Sequence, residues 1–318
     1  MCALLYNNSM PKLSIIIPCY YNGENIPITK ERLLHNETLF TNDVTFEYVM
    51  VDDGSKDNTL EELIKFKDEN PNKVKVVKLA GNVGSYNAIL AGMHHATGDC
   101  CVVIAADLQD PPELMVKMYE HWQRGIKLVV GNRADREESF FQKAFSNTYH
   151  AMIQKFALSN IPDGGFDYVF FDKQLKDDVV KINEKNTNTL YLLAWLNYDM
   201  VCIPYTRVKR EVGKSRWTLQ KKIKLFIDSF ISFSYAPLKF ISIVGIGLGL
   251  CAFLYSLFII VMRLTGHIDA GGWSSLMVVI LFVSSFQMIG LGIIGEYVWR
   301  NLEASRNRPV YVIDKIYE

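Results

Sequence analysis

One short stretch of the sequence places an acid and an amide two residues apart, just after an apolar run. The segment AADLQDPPE follows Cys100–Ile104, which predicts a buried strand because it is apolar and too short for a helix. Pro111 and Pro112 suit the first turn of a following helix. Asp107 and Gln109 therefore fall just past the carboxyl end of a strand, where open α/β sheets bind ligands. Their oxygens suit a hard divalent cation, Mg²⁺ or Mn²⁺, although an acidic loop that caps the helix is the alternative.

Two adjacent acids mark the end of an earlier predicted strand, in the segment VDDGSKDNT. Asp52 and Asp53 cannot both be buried without partners. We interpret them as hydrogen-bond acceptors for the NH and OH groups of a nucleoside. The alternative is a tight turn that Gly54 permits, with Asp57 or Asn58 capping the next helix, and that explanation is sufficient for Asp57.

Polar loops also follow the first and third predicted strands. The first loop, PCYYNGEN, contains Pro18, Tyr20 and Glu24 and opens a helix. The other, GNVG, contains Asn82 and Gly84, and a helix N-terminus of this kind suits an anion or a close backbone approach. Taken alone, the second loop is more often an ordinary turn.

Basic residues form two clusters later in the chain. The first surrounds a loop that leads into a helix predicted from Phe140 to Leu158, and it comprises Arg133, Arg136 and Lys143, with Ser146 nearby. The second is the segment RVKREVGKSRW, a cationic loop with a central glycine that includes Arg207, Arg210, Lys214, Ser215 and Arg216. A solvated run of charge is the usual explanation for such a segment. Two separate clusters in a protein that is neutral overall favour phosphate binding instead.

Alternating strands and helices are expected to position these residues. The predicted strands are Leu13–Pro18, Tyr48–Asp52, Val74–Leu79, Cys101–Ala105, Lys127–Val130 and Met200–Val208, and Gly164–Phe171 is predicted to form a turn and a further strand. The predicted helices between the first five strands lie near Ile28–Phe40, Asn58–Glu69, Ser85–Ala96 and Glu113–Arg124. This alternation predicts an α/β fold, with a mainly parallel sheet covered by helices on both faces.

Composition excludes several classes of protein. Lys and Arg total 34 in 318 residues, and Asp and Glu also total 34, so no global field favours binding to nucleic acid. The six cysteines contain no CxxC pair and lie mostly in apolar runs, which predicts reduced thiols in a cytosolic compartment rather than a disulfide or zinc framework. The first residues lack the pattern of a secretory signal.

The last third of the chain has the pattern of a membrane anchor. The segment TLQKKIKLFIDSFISF predicts a basic amphipathic helix that lies in the membrane interface. Phe240–Met262 and Trp273–Trp299 are each long enough to span the bilayer, and two such runs argue against a buried core helix. Lysine and arginine flank the pair on the outer sides, which places both termini in the cytoplasm.

We therefore expect four parts in an inner-membrane protein with two spans. These are a cytosolic α/β domain over residues 1–217, an interfacial helix over 218–236, a transmembrane pair over 237–299 and a cytosolic tail over 300–318. Glycines in both spans permit close helix packing, and Pro309–Ile313 has the pattern of a strand that adds to a neighbouring sheet. Both features favour a homo-oligomer. A pore is not expected, because the spans flank no intramembrane charge pair.

Taken together, these motifs resemble those of the polyprenyl-phosphate glycosyltransferases, inverting family 2 enzymes of GT-A fold. The resemblance covers nearly the whole chain and rests on VDDGSKDNT, ADLQDPPE, the arginine after GN, the segment RVKREVGKSRWT and the two terminal spans. It implies that Asp52 and Asp53 bind the nucleoside of a nucleotide-diphosphate sugar, and that Asp107 and Gln109 hold the metal. It also implies that Arg133 and Arg210 bind phosphates, with polyprenyl phosphate as the acceptor.

The sequence departs from that family pattern at three places. Ala105 stands where many relatives have another acid, Gly81 stands where many have arginine, and the first loop has Gly23 in place of an acid. These departures leave two alternatives open. One is transfer to a lipid-linked sugar or another acceptor, which would require a base such as Asp167 or Asp110. The other is a scaffold that binds the nucleotide sugar without catalysis.

Overall fold

The structure, a computed structural model, describes residues 10–41, 43–135, 151–162, 165–182, 184–208, 219–265 and 272–318. Its centre is a sheet whose strands in the described residues are β1 (Lys12–Cys19), β2 (Thr45–Asp52), β3 (Val74–Leu79), β4 (Cys100–Val103), β5 (Leu128–Asp135), β6 (Tyr168–Asp172), β7 (Met200–Thr206) and β8 (Ile313–Tyr317). The spatial order is β7-β5-β6-β4-β1-β2-β3-β8. Strands β4, β1, β2 and β3 are mutually parallel, and β5 is parallel to β7. Strand β6 runs antiparallel between β4 and β5, and β8 is antiparallel to β3.

Helices connect the strands and continue beyond them. In chain order they are α1 (Ile26–Glu37), α2 (Thr59–Glu69), α3 (Ser85–His95), α4 (Leu114–Gln123), α5 (Lys173–Val179), α6 (Thr189–Trp195), α7 (Leu219–Phe233), α8 (Ala236–Leu264) and α9 (Trp273–Arg306). Residues 151–156 are also helical, and they belong to the helix predicted from Phe140 to Leu158, whose first part lies outside the described residues. The predicted α/β class with a mainly parallel sheet is confirmed.

Burial explains why the central strands form where they do. The inner residues of β1, Leu13 to Ile17, are buried on both faces of the sheet, as a strand covered by helices on both sides requires. Strand β5 is longer than predicted because Asn132 and Arg133 continue its pairing with β7 despite their polarity. The periodic apolar pattern stops at Val130, so sequence alone could not extend the strand.

The strand predicted at Pro309–Ile313 is displaced in the structure. Strand β8 begins at Ile313, and it pairs with β3 of the same chain rather than with a neighbouring sheet. Residues Pro309–Val312 precede it as a connecting segment, tied to the end of β3 by a 2.9 Å bond from Ala80 N to Val312 O. The tail therefore closes an edge of the chain's own sheet.

A buried carboxylate, Glu47, connects the amino-terminal ends of the central strands β1 and β2. Glu47 accepts hydrogen bonds from Thr97 N and Thr97 Oγ1, both at 2.8 Å, and from Ser14 Oγ. Lys12 adds an ion pair at 3.4 Å. The Glu47 pKa lies below its usual value: burial opposes the charged form, but these bonds to Ser14 and Thr97 outweigh it. This network joins β1 and β2 to the turn after α3.

The chain divides into two compact units, and the second consists of α8, α9 and the residues beside them. The first unit contains residues up to Ser229 together with Pro309–Glu318, and the second contains Phe230–Arg308. Within the second unit, Tyr297 Oη donates to Ser234 O at 2.9 Å, and a Cβ on Gly290 would lie 3.4 Å from the Ile241 side chain. Two segments, Ala236–Met262 and Ser275–Arg306, are long and apolar enough to cross a membrane. Of the most apolar 18 residues in each segment, 0 % and 6 % are buried, respectively. Such exposed apolar surface suggests membrane anchoring.

Candidate functional site

A cleft of 1270 Å³ lies at the carboxyl ends of the four parallel strands β4, β1, β2 and β3. The loops that follow these strands form its walls, as expected for an open α/β sheet. Of the residues predicted to bind a nucleotide sugar, those that line the cleft are Pro18, Tyr20, Glu24, Asp53, Asn82, Gly84 and Asp107. The structure thus brings together residues from four separate loops. Asp52 is the predicted residue that does not line the cleft.

Asp53 shapes the wall of the cleft through the backbone of the neighbouring loop. Its carboxylate accepts hydrogen bonds from Val83 N at 2.7 Å, Gly84 N at 3.1 Å and Asn82 Nδ2 at 2.9 Å. Gly84 has φ +91°, a conformation that favours glycine, at the start of α3. Asp53 therefore holds the turn that begins this helix.

Asp52 is fully buried, which argues against the predicted direct contact with a nucleoside. Its Oδ1 accepts from Ser55 N at 3.1 Å, whereas Oδ2 is buried and has no hydrogen-bond partner among the described residues. Burial raises the Asp52 pKa above its ordinary value, against the opposing effect of the hydrogen bonds from Ser55. Ser55 in turn accepts a hydrogen bond from the backbone of Tyr21, which lines the cleft, so Asp52 is linked to the cleft wall through two residues.

Two glycines allow the loops around the cleft to pack closely. Gly54 has φ +70°, and a Cβ there would lie 2.7 Å from the carbonyl carbon of Gly81. A Cβ on Gly23 would lie 2.0 Å from the Asn58 side-chain oxygen. An acid at position 23, as in the family pattern, would therefore need a different arrangement of Asn58. The departure at Gly23 is thus accommodated by close packing against the start of α2.

The predicted metal loop is a strained turn anchored in the core. Leu108 has φ +45°, unusual for a leucine, and its side chain is buried. This turn leaves Asp107 lining the cleft, and Gln109 N donates to Asp107 Oδ1 at 3.3 Å. The Gln109 side chain donates a hydrogen bond through Nε2 to Val208 O at 3.4 Å. Its amide oxygen, Oε1, is therefore the atom that could bind the predicted metal.

A network of ionic groups supports the far side of this loop. Asp110, which is buried, accepts from Tyr205 Oη at 2.6 Å and lies 3.5 Å from Arg207 Nε. Arg133 Nε donates to Tyr205 Oη at 3.5 Å, and Arg133 Nη2 pairs with Asp167. Burial raises the Asp110 pKa above its ordinary value, although Arg207 and Arg133 oppose that shift. Val208 N also donates to Gln109 O at 2.9 Å, so the end of β7 and the predicted metal loop are held together.

The predicted phosphate-binding residues fall into two groups. Arg133 and Arg207 lie in the network around Asp110 and do not line the cleft. The others lie outside the described residues and stay predictions: Arg136, Lys143, Ser146, Arg210, Lys214, Ser215 and Arg216.

Three segments that sequence reasoning did not select also line the cleft: Lys185–Thr187, the α7 residues Lys224, Leu225 and Asp228, and Pro309–Val312. Asn87 Nδ2 donates to Lys185 O at 3.2 Å, which ties the first segment to α3. Asn188 caps α6 by accepting from Leu190 N at 3.0 Å, and an asparagine before an apolar run was a usable signal for this boundary. No local signal indicated that the tail returns to the cleft.

The model of glycosyl transferase family 2 matches residues 14–180, which include the loops that form most of the cleft. This chain belongs to glycosyl transferase family 2. Relatives extend the similarity beyond the matched segment. An uncharacterized glycosyltransferase of Bacillus subtilis is 34% identical over 305 residues, which is 96% of this chain and 94% of the relative.

Two relatives of this family 2 glycosyltransferase carry names that specify a lipid. The undecaprenyl-phosphate 4-deoxy-4-formamido-L-arabinose transferase of Photorhabdus laumondii is 30% identical over 96% of this chain and 94% of its own length. A prophage bactoprenol glucosyl transferase homolog of Escherichia coli is 29% identical over 96% of this chain and 99% of its own length. Among solved structures, the chain is similar to a mannosyltransferase from Pyrobaculum calidifontis in complex with GDP-Man and Mn²⁺, with 17% identity, a TM-score of 0.46, and coverage of 65% of this chain and 59% of that chain.

The residue types on the loop after β4 are compatible with a metal that is shared with a substrate. Within the described part of the chain, no three His, Cys, Asp or Glu residues are grouped to hold an ion. Asp107, which lines the cleft, offers a carboxylate, and Gln109, which is not among the lining residues, offers an amide oxygen from the same turn. That donor set fits Mg²⁺ or Mn²⁺, which bind through one or two protein oxygens and complete their shell with phosphate oxygens and water.

Proposed function

We propose that this family 2 glycosyltransferase transfers a sugar from a nucleotide-diphosphate sugar to the phosphate of a polyprenyl lipid such as undecaprenyl phosphate, with inversion at the anomeric carbon. The observation that carries the proposal is the extent of the similarity. Relatives named as transferases to undecaprenyl phosphate and bactoprenol match 96% of this chain, a span that must include most of the two exposed apolar helices.

The donor is proposed to occupy the cleft at the strand ends. The loops after β2 and β3 offer polar groups for the nucleoside, and Asp107 lies on the loop after β4. Asp107 and Gln109 would hold Mg²⁺ or Mn²⁺, which stabilises the negative charge of a departing diphosphate when it is bound. Arg210, Lys214, Ser215 and Arg216 are proposed to bind the diphosphate, since guanidinium groups match phosphate oxygens.

The acceptor is proposed to be a phosphate rather than a sugar hydroxyl. A phosphate monoester has a second pKa of about 6, so it is already largely dianionic at neutral pH and needs little help from a general base, unlike a sugar hydroxyl. The two acids that might serve as a base are both engaged: Asp110 with Tyr205 and Arg207, and Asp167 with Arg133. Because each carboxylate is already held by these partners, neither is free to approach an acceptor hydroxyl without breaking them, and this arrangement supports the phosphate acceptor. Arg133, with Arg136, Lys143 and Ser146, is proposed to bind it.

The apolar helices are proposed to anchor the enzyme in the inner membrane with both termini in the cytoplasm. Basic residues flank the pair on that side, and a lipid acceptor is available only at the membrane. Glycines in both helices favour a homo-oligomer.

Transfer from a panel of radiolabelled UDP- and GDP-sugars to undecaprenyl phosphate tests the proposal. The full-length protein in detergent is assayed with Mn²⁺ and then with EDTA, beside Asp107→Ala and Arg210→Ala. Asp68→Ala, at an exposed position outside the cleft, is the matched control. We expect labelled lipid in the wild type and in the control, and we expect EDTA, Asp107→Ala and Arg210→Ala each to abolish it.

Two results would contradict this proposal in different ways. Intact donors despite measurable nucleotide binding would favour a scaffold that binds the nucleotide sugar. Consumption of a donor without labelled lipid would leave a glycosyltransferase with a different acceptor.

A further inference from the structure

Among the described residues that line the cleft, acidic side chains outnumber basic ones. The acids are Glu24, Asp53, Asp57, Asp107 and Asp228, and the basic residues are Lys185 and Lys224. The proposed reaction brings a diphosphate and a lipid phosphate into this space, and both add negative charge. Because like charges repel, the lipid phosphate needs a cation on its path into the cleft.

Helix α7 presents one of the two lysines on a polar edge that is turned to the cleft. Lys224, Leu225 and Asp228 all line the cleft, and at about 100° per residue they share one side of the helix. Phe226 and Phe230 lie on the opposite side, and both are partly buried. The helix is therefore amphipathic, as predicted, and Lys224 is exposed to solvent on its polar edge.

The chain leads directly from Lys224 to the first of the two apolar helices. Helix α7 ends at Phe233, and α8 begins at Ala236. The helix from Lys224 to Phe233 is about 14 Å long, at roughly 1.5 Å per residue. Lys185, in contrast, lies on the segment before α6. Of the two lysines in the cleft, Lys224 is therefore the one on the helix that precedes the proposed membrane anchor.

The arginines described near this site do not supply the same charge. Arg133 and Arg207 are engaged in the network around Asp110, and neither lines the cleft. Lys224 therefore places a cation inside the cleft, on the side from which a lipid would come.

We infer that Lys224 binds the phosphate of the lipid acceptor inside the cleft, in addition to the basic groups named above. This inference rests on the proposed function, since it takes the acceptor to be a polyprenyl phosphate. An ammonium group is a compact charge with three hydrogen-bond donors, which suits a phosphate dianion. Its place on an amphipathic helix suits a ligand whose isoprenoid chain stays in the bilayer while its phosphate reaches the cleft.

The test compares binding of undecaprenyl phosphate with binding of undecaprenol, which has the same chain and no phosphate. Each lipid is titrated into the full-length protein in detergent. Lys224→Gln should weaken binding of undecaprenyl phosphate about tenfold, because a hydrogen bond between charged groups is lost, and should leave binding of undecaprenol unchanged. Lys224→Arg keeps the charge and should stay within about threefold of the wild type. Lys117→Gln, at an exposed position of α4 outside the cleft, is the matched control and should bind both lipids as the wild type does.

Salt and nucleotide binding separate a phosphate contact from a structural role. Because Lys224 is exposed, the difference between the wild type and Lys224→Gln should shrink to about twofold in about 1 M NaCl, where the screening length is about 3 Å. Binding of UDP and GDP, measured with Mn²⁺ by calorimetry, should change less than about twofold in Lys224→Gln, because the metal and the cationic loop are proposed to bind the diphosphate.

The possible failures of this test have different meanings. The inference is overturned if Lys224→Gln binds undecaprenyl phosphate as tightly as the wild type, or if its loss of affinity is the same at high salt. It is also overturned if Lys224→Gln weakens nucleotide binding as much as lipid binding, since Lys224 then binds the donor. A wild type that binds undecaprenyl phosphate no more tightly than undecaprenol would refute the proposed acceptor, and the inference with it.

Discussion

Removing one hydroxyl group should loosen the loop that carries Asp107. Tyr205→Phe deletes the donor that lies 2.6 Å from the buried Asp110 carboxylate, leaving Arg207 Nε at 3.5 Å as the remaining close partner of that oxygen. A hydrogen bond to a buried charged group contributes about 1.5–3 kcal/mol, so we expect a loss near 2 kcal/mol. The ring itself is retained, together with its packing against Tyr168. For a domain of this size, such a loss lowers the midpoint of thermal unfolding by about 4–8 °C.

The same change should reduce catalysis, because Asp110 holds the end of the loop on which Asp107 and Gln109 lie. We expect kcat/KM for the donor to fall about tenfold, since small displacements of positioned groups have effects of that size. Tyr198→Phe is the matched control, because its hydroxyl makes one hydrogen bond at the surface, with Gln174.

A double-mutant cycle identifies the cause of the loss. In an Asp110→Ala background, Tyr205→Phe should cost almost nothing, because the acceptor is gone. The reasoning is refuted if Tyr205→Phe and Tyr198→Phe unfold within about 1 °C of each other, or if the two losses simply add in the double variant.

Two further predictions concern residues that hold the sheet and the cleft. Glu47→Gln should cost about 2–3 kcal/mol at pH 7, because the network with Ser14 and Thr97 is broken. The Glu47 pKa is lower in the folded protein than its ordinary value, so the ionised carboxylate stabilises the fold fully at pH values above the ordinary glutamate pKa. This stabilisation is lost as the pH falls through the pKa of the folded state. The difference in unfolding midpoint between the wild type and Glu47→Gln should therefore become smaller below a pH of about 4. Glu69 forms an exposed ion pair with Lys30, so Glu69→Gln is the control and should change the midpoint of thermal unfolding little. Equal shifts of the midpoint in Glu47→Gln and Glu69→Gln would contradict the argument. Gly54→Ala should lower the free energy of unfolding by about 2 kcal/mol and weaken nucleotide binding, because Gly54 has φ +70° and a Cβ there would meet the Gly81 backbone. Gly81→Ala is the control and should be neutral, because a Cβ at Gly81 has open space. Similar effects of the two substitutions would refute this argument.

Local patterns in the sequence were sufficient to predict several parts of the site. Strand β4 ends at Val103, one residue before the end of the predicted run Cys100–Ile104, so the loop with Asp107 could be placed at the carboxyl end of the strand from the order of the residues alone. The same reasoning located the loops with Asp53 and with Asn82. Each of these loops lies within a few residues of the strand that positions it.

The missing parts of the site depend on contacts between residues distant in the chain. Val312 O reaches Ala80 N only because the tail returns to β3 after two long helices. The Asp110 network joins residues whose numbers differ by 95, from Asp110 to Tyr205. Neither the periodicity of apolar residues nor helix and strand propensity indicates such pairings, since each segment alone is compatible with several partners. The cationic segment after Val208 was predicted from composition, and its placement remains a prediction.

The adjacent acids Asp52 and Asp53 were predicted to bind a nucleoside together, and the structure gives their carboxylates different partners. Asp52 is the last residue of β2, Asp53 is the first residue of the following loop, and the chain turns at Gly54, which has φ +70°. Asp53 is directed to the Asn82–Gly84 turn and fixes the start of α3. Asp52 is directed inward and holds Ser55, which in turn holds Tyr21. Asp53 therefore holds the Asn82–Gly84 turn and Asp52 holds Ser55, so we expect a substitution of either acid to disturb the loops around the cleft.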